Sequence, residues 1–327
     1  MPRILIRCDI GGIHGLGHAT RCKALAQALV AQGAEVKFVT QTPALAAFVT
    51  PSQCWIGEHA CHAYSVRDGV HIVDTAADIP ASDYFSWRAM DSKIVVFDKI
   101  LGPDLVDLVD LVILPNAHTA PTTIVRLEAD FPGRVLHGWE YVMLSEDVTD
   151  GAQLPYAERE SQIVFCAGGS DPSGLLQQMY DWTTDLEIDA KLCFLIGSYA
   201  KYDRLMMKHM SRKNVPLVAP FTRAHLAEAA LVVTLFGQTV YEALWYQTPC
   251  VVLACNEDDD RNALWLQQKC AAVYAARDIR TYANRSKQFC SEIQTAWHLR
   301  TRSAALIAWK LDGCGVARIA DVILSLT

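Results

Sequence analysis

Gly15, Gly17, His18 and Arg21 follow closely on the apolar run Arg3-Ile4-Leu5-Ile6-Arg7. Glycines at the end of a strand let the backbone approach a ligand. A helix starting there offers free N–H groups and a positive dipole end. A histidine at that point sits where a cation is disfavoured, which biases its imidazole toward the neutral form. A neutral imidazole beside a pocket is a candidate general base, so His18 is the candidate catalytic residue. The same residues also admit a plain strand–turn–helix with an exposed histidine.

Two later segments repeat the pattern. Gly168-Gly169-Ser170-Asp171-Pro172 follows the run Ile163–Ala167. It reads as a phosphate-facing turn, with Ser170 as a donor and Pro172 in the first helical turn. Asp171 as a cap of the following helix is the plainer alternative. The segment Leu235-Phe236-Gly237-Gln238-Thr239 ends another strand and opens a helix near Thr239, a second seat for a diphosphate. Glu242, one turn further in, is placed to accept from a ribose hydroxyl. The acidic run Glu257–Asp260 tempts a magnesium reading, but consecutive loop aspartates more often cap helices and face water. Arg261 and Asn262 are the better ligand candidates, and no metal is expected. Cys54, His59, Cys61 and His62 cluster in an apparent loop, but their spacing fits no standard zinc pattern.

The elements that must hold these residues alternate along the chain. Strand-like runs cover Glu35–Thr40, Lys93–Asp98, Leu111–Leu114, Gln162–Ala167, Ala190–Ile196, Val215–Ala219, Leu231–Leu235 and Pro249–Ala254, with helical stretches between most of them. The helix after Gly17 is expected to run from His18 to Gln32, with Leu25, Leu29 and Val30 on one face and Gly33 as its stop. This alternation predicts an α/β fold of parallel sheets with helices on both faces. Ser145–Ser161 is polar, contains Gly151 and Pro155, and reads as a linker. Each half then opens with a strand running into a glycine turn. The expectation is two Rossmann-like domains, residues 1–150 and 151–327, facing across a cleft, with the last helix a candidate to pack back on the first.

Composition narrows the function classes. The chain has 327 residues, 51% hydrophobic and 20% charged, the balance of a globular protein. A net charge of −7 gives no support to nucleic-acid binding. The best membrane-span candidate, Leu105–Leu114, is broken by Asp107 and Asp110. No signal-peptide layout is seen at the N-terminus. Eleven scattered cysteines without a CxxC pair suit buried reduced thiols, several of them in apolar runs (Cys166, Cys193, Cys250, Cys255). A cytoplasmic protein is expected, with a monomer favoured.

The motifs together resemble GT-B-type nucleotide-sugar enzymes, in particular the UDP-sugar hydrolases of pseudaminic acid biosynthesis. That family opens with Arg-x-Asp, then Gly-x-Gly-His-x-x-Arg-Cys and Ala-Leu-Ala. This chain has Arg7-Cys8-Asp9, Gly15 to Cys22, and Ala24-Leu25-Ala26. The family's Gly-Gly-Ser-Asp-Pro matches Gly168–Pro172, and its Gly…Tyr…Leu element matches Gly138, Tyr141 and Leu144. Its C-terminal Asp-Gly-x-Gly-x-x-Arg-Ile matches Asp312 to Ile319. The segment from Gly237 to Ala272 is also similar to the UDP-GlcNAc transferase of peptidoglycan precursor synthesis. Departures lie on the sugar side. The nearest trace of the family's Asp-His-Tyr is Asp83-Tyr84, its Asp-Asp pair is Asp98-Lys99 here, and an arginine is replaced by Ser145.

The resemblance implies a UDP-sugar as small-molecule substrate. His18 would activate water for attack at C1, releasing free sugar and UDP with inversion. Asp9 would orient His18 or hold a sugar hydroxyl. Gly15, Gly17, Arg21, Tyr141, Gly168, Gly169, Ser170, Gly237, Gln238, Thr239, Glu242, Arg261 and Asn262 would line the substrate, although Arg7 and Arg21 also suit structural ion pairs. Two helix N-termini can stabilise a departing diphosphate without a cofactor. The alternatives are a glycosyltransferase, with His18 deprotonating an acceptor hydroxyl, and a non-catalytic sugar-nucleotide sensor.

Overall fold

The computed structural model describes residues 1–11, 15–49, 54–57, 67–98, 101–201, 217–282, 284–305 and 311–327. The chain divides into two compact units, Met1–Glu146 with Lys310–Thr327, and Asp147–Trp309. Each holds one wholly parallel sheet.

The first unit carries β1 (Arg3–Cys8), β2 (Glu35–Thr40), β3 (Cys54–Ile56), β4 (Val70–Asp74), β5 (Lys93–Phe97), β6 (Leu111–Leu114) and β7 (Val135–His137). Their order across the sheet is β3-β2-β1-β4-β5-β6-β7. Its helices are α1 (Gly17–Ala31), α2 (Leu45–Phe48), α3 (Ala81–Arg88) and α4 (Pro121–Asp130); a short α5 (Glu146–Thr149) spans the boundary to the second unit. The second unit carries β8 (Gln162–Cys166), β9 (Lys191–Ile196), β10 (Leu217–Pro220), β11 (Leu231–Leu235), β12 (Cys250–Ala254) and β13 (Val273–Asp278), ordered β10-β9-β8-β11-β12-β13. Its helices are α6 (Leu175–Trp182), α7 (Arg223–Glu228), α8 (Gln238–Trp245), α9 (Glu257–Lys269) and α10 (Arg285–Ala305); α11 (Gly315–Leu324) returns to the first unit.

Both sheets follow the Rossmann order. The direction of strand addition reverses between β1 and β4 in one and between β8 and β11 in the other. Ligands of open parallel sheets bind at the carboxyl ends of the strands at such a reversal. The apolar runs form these strands because both faces are covered. Ile4, Ile6, Val95, Val96 and Val112 are all buried, as are Phe165, Val233 and Val251 in the second core.

α1 begins one residue earlier than the spacing suggests and stops at Gly33, whose φ of +87° suits glycine and whose N–H donates to the Val30 carbonyl at 2.9 Å. Leu25 and Leu29 are buried, but Val30 is exposed, so the apolar face is Ala19, Cys22, Leu25, Ala26 and Leu29. α11 packs against α1, burying Gly315, Ile319, Ala320 and Ile323. A Cβ on Gly315 would lie 2.1 Å from the Val142 carbonyl oxygen, so only glycine permits this approach. Arg318 reaches from α11 to the Glu140 carbonyl at 2.9 Å and pairs with Asp312. Two of the motifs quoted above therefore meet: the C-terminal one clamps α11 onto the 3-10 turn Trp139–Tyr141.

Four strands fall outside the sequence reading: β3, β4, β7 and β13. β4 reads Val-His-Ile-Val-Asp, and its two polar residues hide an element that is wholly buried. The stretch 145–161 is not a free linker. It contains α5, and Tyr156 and Arg159 fasten it to the second unit through the carbonyls of Ala230 and Ala229 and the Thr248 hydroxyl. Cys166, Cys193 and Cys250 are buried free thiols, and Cys255 is half-buried. Among the described residues no helix is long and apolar enough to cross a membrane.

Candidate functional site

His18 is the second residue of α1, at the reversal between β1 and β4. Its Nδ1 lies 2.6 Å from Asp74 Oδ1 at the end of β4. Asp74 is fully buried. Burial opposes its charge, but Arg21 and His18 hold its carboxyl well below the usual carboxylate range. With Asp74 ionised, the neutral imidazole of His18 that donates to it carries its proton on Nδ1 and its lone pair on Nε2; Arg21 Nη2 lies 3.2 Å from the same Nδ1. The His18 side chain is 27% exposed, while its anchor is sealed. This is the arrangement of an oriented base: a carboxylate fixes the tautomer and stabilises the imidazolium that forms on proton uptake.

Arg21, one turn further along α1, forms a bidentate pair with Asp74. Nε reaches Oδ2 at 2.7 Å and Nη2 reaches Oδ1 at 2.5 Å, while Nη1 reaches Asp98 Oδ2 at 2.7 Å. Both forks of the guanidinium are engaged by protein, so Arg21 is an ion-pair former. Asp98, beyond β5, has a φ of +49°, and Asn116, beyond β6, donates to its Oδ1 at 2.8 Å. The neighbouring His118 is half-buried beside Asp98 and Arg21, and burial pushes its imidazole down to about 4. Three strand ends thus meet around His18.

Asp9 is not the partner of His18. Its carboxylate accepts from Arg7 Nη1 at 2.9 Å, Thr40 Oγ1 at 3.0 Å, the Gln41 N–H at 2.8 Å and Thr75 Oγ1 at 2.8 Å. Burial works against its charge, but these bonds and the Arg7 cation hold its carboxyl below the ordinary range. Asp9 ties the ends of β1, β2 and β4 together, and among the described residues no hydrogen bond joins it to His18. Asp74, absent from the sequence reading, takes that place. The one signal in the sequence is that Asp74 closes the apolar run Val70–Asp74; Asp9 entered through the family motif instead.

Gly15 has a φ of +62° and accepts from the Gly11 N–H at 2.9 Å, closing the turn before Gly17 opens α1. Tyr141 lies on the 3-10 turn against α11, and no hydrogen bond or ion pair joins it to the His18 cluster among the described residues. Asp83 and Tyr84 lie buried within α3. His59, Cys61 and His62 lie outside the described residues, and Cys54 is on β3.

In the second unit, Gly168 (φ +73°) and Gly169 end β8 and face the reversal between β8 and β11. Asp171 caps α6, accepting from the N–H groups of Leu175 at 2.8 Å and Leu176 at 2.9 Å. Pro172 therefore precedes the helix instead of entering its first turn. Ser170 is buried within this turn. Gly197, which the motifs did not flag, packs so closely that a Cβ would sit 2.4 Å from the Gly168 carbonyl oxygen. On the other side of the reversal, Gly237 precedes α8, whose first residues are Gln238 and Thr239. The two turns stand at the ends of adjacent strands. Glu242 is buried, with Oε1 3.7 Å from Arg223 Nε. Burial pushes its carboxyl up, while Arg223 pulls the other way.

The acidic run is consumed locally. Asn256 caps α9 by accepting from the Asp259 N–H at 2.8 Å, Asp258 pairs with Arg261, and Asp260 lies 3.3 Å from Arg277 Nη2. Arg261 is 70% exposed and Asn262 half-buried. Among the described residues no group of three or more His, Cys, Asp or Glu side chains is arranged to hold a metal ion.

No protein-family model matches the chain, and no curated protein matches its sequence. Solved structures match over nearly its whole length. Acinetobacter baumannii MurG superposes with a TM-score of 0.68 at 14% identity, covering 99% of this chain and all of that one. CalG4, the calicheamicin glycosyltransferase, gives a TM-score of 0.62 at 14% identity, covering 100% and 98%. Arabidopsis thaliana UGT89C1 complexed with UDP gives 0.59 at 10% identity, covering 99% and 100%. At such identities the likeness is one of fold, and with the two reversed-order parallel sheets it shows an α/β chain of GT-B type, built from two Rossmann-like domains.

Proposed function

We propose that this protein is an enzyme that cleaves the anomeric C–O bond of a UDP-sugar by hydrolysis. The observation that carries this reading is the 2.6 Å contact of His18 Nδ1 with buried Asp74 at the strand reversal, which leaves Nε2 as a base. Water loses a proton to Nε2 as its oxygen bonds to C1. The bond from C1 to the β-phosphate oxygen breaks, and UDP departs with inversion in a single displacement. A nucleoside diphosphate is a good leaving group, so donors around it suffice. The glycine turn at Gly168-Gly169-Ser170 and the N-terminus of α8 at Gly237-Gln238-Thr239 are the proposed donors, and they need no metal. Glu242, held beside Arg223, is the proposed ribose acceptor. The motif resemblance supports a diacetamido sugar of nonulosonic-acid biosynthesis and a cytoplasmic reaction.

Glycosyltransfer is the second reading, favoured by the names of the structural neighbours. Incubating the pure protein with UDP-sugars and no acceptor separates the two. UDP release at steady turnover supports hydrolysis. Release only when an acceptor hydroxyl is supplied overturns it in favour of transfer, and binding without turnover makes the protein a sensor.

A further inference from the structure

We infer that Asn116 and Asp98 are positioning residues that lock Arg21, and through it Asp74 and His18, into working geometry. The inference rests on the proposed role of His18, yet its geometry stands apart from the reaction. Asn116 is buried. Its Oδ1 accepts from three donors: the His118 N–H at 3.2 Å, the Thr119 N–H at 3.0 Å and the Thr119 hydroxyl at 2.7 Å. Three donors on one oxygen fix the orientation of the amide, so its NH2 must face the other way. There it donates to Asp98 Oδ1 at 2.8 Å. Asp98 is held from a second direction by its own N–H, which donates to the Ile113 carbonyl at 3.0 Å. Its left-handed backbone, at φ +49°, is sparsely populated for residues other than glycine and turns the carboxylate toward α1. Asp98 Oδ2 then receives Arg21 Nη1 at 2.7 Å.

The consequence follows from the shape of guanidinium. Arg21 has a planar fork, and its Nε–Nη2 edge is spent on Asp74. Held at that edge alone, the group can still swing on the long side chain and carry Asp74 with it. The Asp98 anchor at Nη1 removes that freedom. Asp74 Oδ1 is the same atom that holds His18 Nδ1, so a displacement of Arg21 is a displacement of the base. The Asn116 carbonyl also receives the Gly138 N–H at 3.3 Å, which ties the end of β7 into the assembly. The ends of β4, β5, β6 and β7 are thereby linked through hydrogen bonds that converge on one imidazole.

Asn116→Asp is the decisive variant. It keeps the oxygen that holds His118 and Thr119, but replaces the donor facing Asp98 with a repelling carboxylate. If Asn116 only shapes its own loop, this variant behaves as the parent. If it positions Arg21, Asn116→Asp lowers kcat roughly 10- to 100-fold with KM within about twofold, as expected for a misplaced catalytic group. Asn116→Ala and Asp98→Asn should do the same. The measurement independent of turnover is NMR of the side chains. The parent should show restricted rotation at the Arg21 guanidinium and one His18 tautomer, protonated at Nδ1. All three variants should show faster rotation and mixed tautomers. UDP affinity by calorimetry should be unchanged, which certifies that the variants are folded. A parent that turns over no UDP-sugar would sink the hydrolase reading while leaving the NMR comparison decisive here. Asn116→Asp with parental Arg21 rotation and a parental His18 tautomer overturns the inference.

Discussion

The proposed chemistry hangs on one side-chain nitrogen, and residue-scale tests address it directly. His18→Asn removes the base while keeping polarity. Its kcat should fall by about 10²–10⁴-fold, the usual range for a lost general base, with UDP affinity within a few-fold. Parental turnover by His18→Asn would reject the assignment. Its neighbour His118 makes a stability prediction. Burial lowers its proton affinity to about 4 in the folded state, against about 6.5 for an unperturbed histidine. A depressed group contributes stability that is complete above the unfolded value and is lost as pH falls through the folded one. Folding should therefore weaken between pH 6.5 and pH 4, by at most about 3 kcal/mol from this group. His118→Gln should flatten the decline of Tm across that interval. An unchanged slope would show that His118 is not held neutral.

At the scale of elements, the two glycine turns differ in what fixes them. The turn before α6 is held by Asp171, which has a φ of +37° and caps two N–H groups. Asp171→Asn keeps an acceptor and tolerates that backbone, whereas Asp171→Ala loses the cap. The alanine variant should lose about 1–2 kcal/mol by urea unfolding, and the asparagine variant distinctly less. Equal losses would discount the cap. The acidic start of α9 yields a complementary expectation. Each carboxylate of Asp258–Asp260 has a local partner, Arg261, the Asn256 amide and Arg277 in turn, so replacing all three with asparagine should leave kcat within about threefold, and EDTA should leave activity intact. A strict requirement for magnesium or manganese, restored after chelation, would reverse that conclusion.

For the whole molecule, the second unit is an insertion into the first, because α11 returns to pack on α1. Gly315→Ala forces a Cβ against the Val142 carbonyl and should loosen that return, costing about 1–3 kcal/mol by overpacking. The loss should appear as earlier proteolysis of the C-terminal helix, with UDP affinity retained if the nucleotide belongs to the second unit. Glu242→Ala provides the converse: it should weaken UDP binding and raise KM more than it lowers kcat, because a ribose contact is shared by ground and transition states. Unchanged UDP affinity would reject Glu242 as the ribose acceptor.

What the sequence determined by itself was local. Apolar runs ending in glycines located β1, β8 and β11 and the starts of α1 and α8, because strand burial and turn geometry depend on neighbouring residues. It also singled out His18, whose place at a helix start is a matter of a few residues. It did not locate β4, where His71 interrupts the apolar pattern; in the fold that imidazole is buried and stacked on Trp87 at 4.7 Å. With β4 went Asp74, which lies 56 residues from His18 and becomes its neighbour only because β4 pairs with β1, setting Asp74 beside Cys8. The choice between Asp9 and Asp74 was likewise tertiary. Both stand at the ends of apolar strands, but Thr40, Gln41 and Thr75 pack around Asp9, while Asp74 meets Arg21 and the His18 imidazole. Spacing along a chain can nominate a catalytic side chain, but parallel pairing across a sheet decides which distant carboxylate orients it.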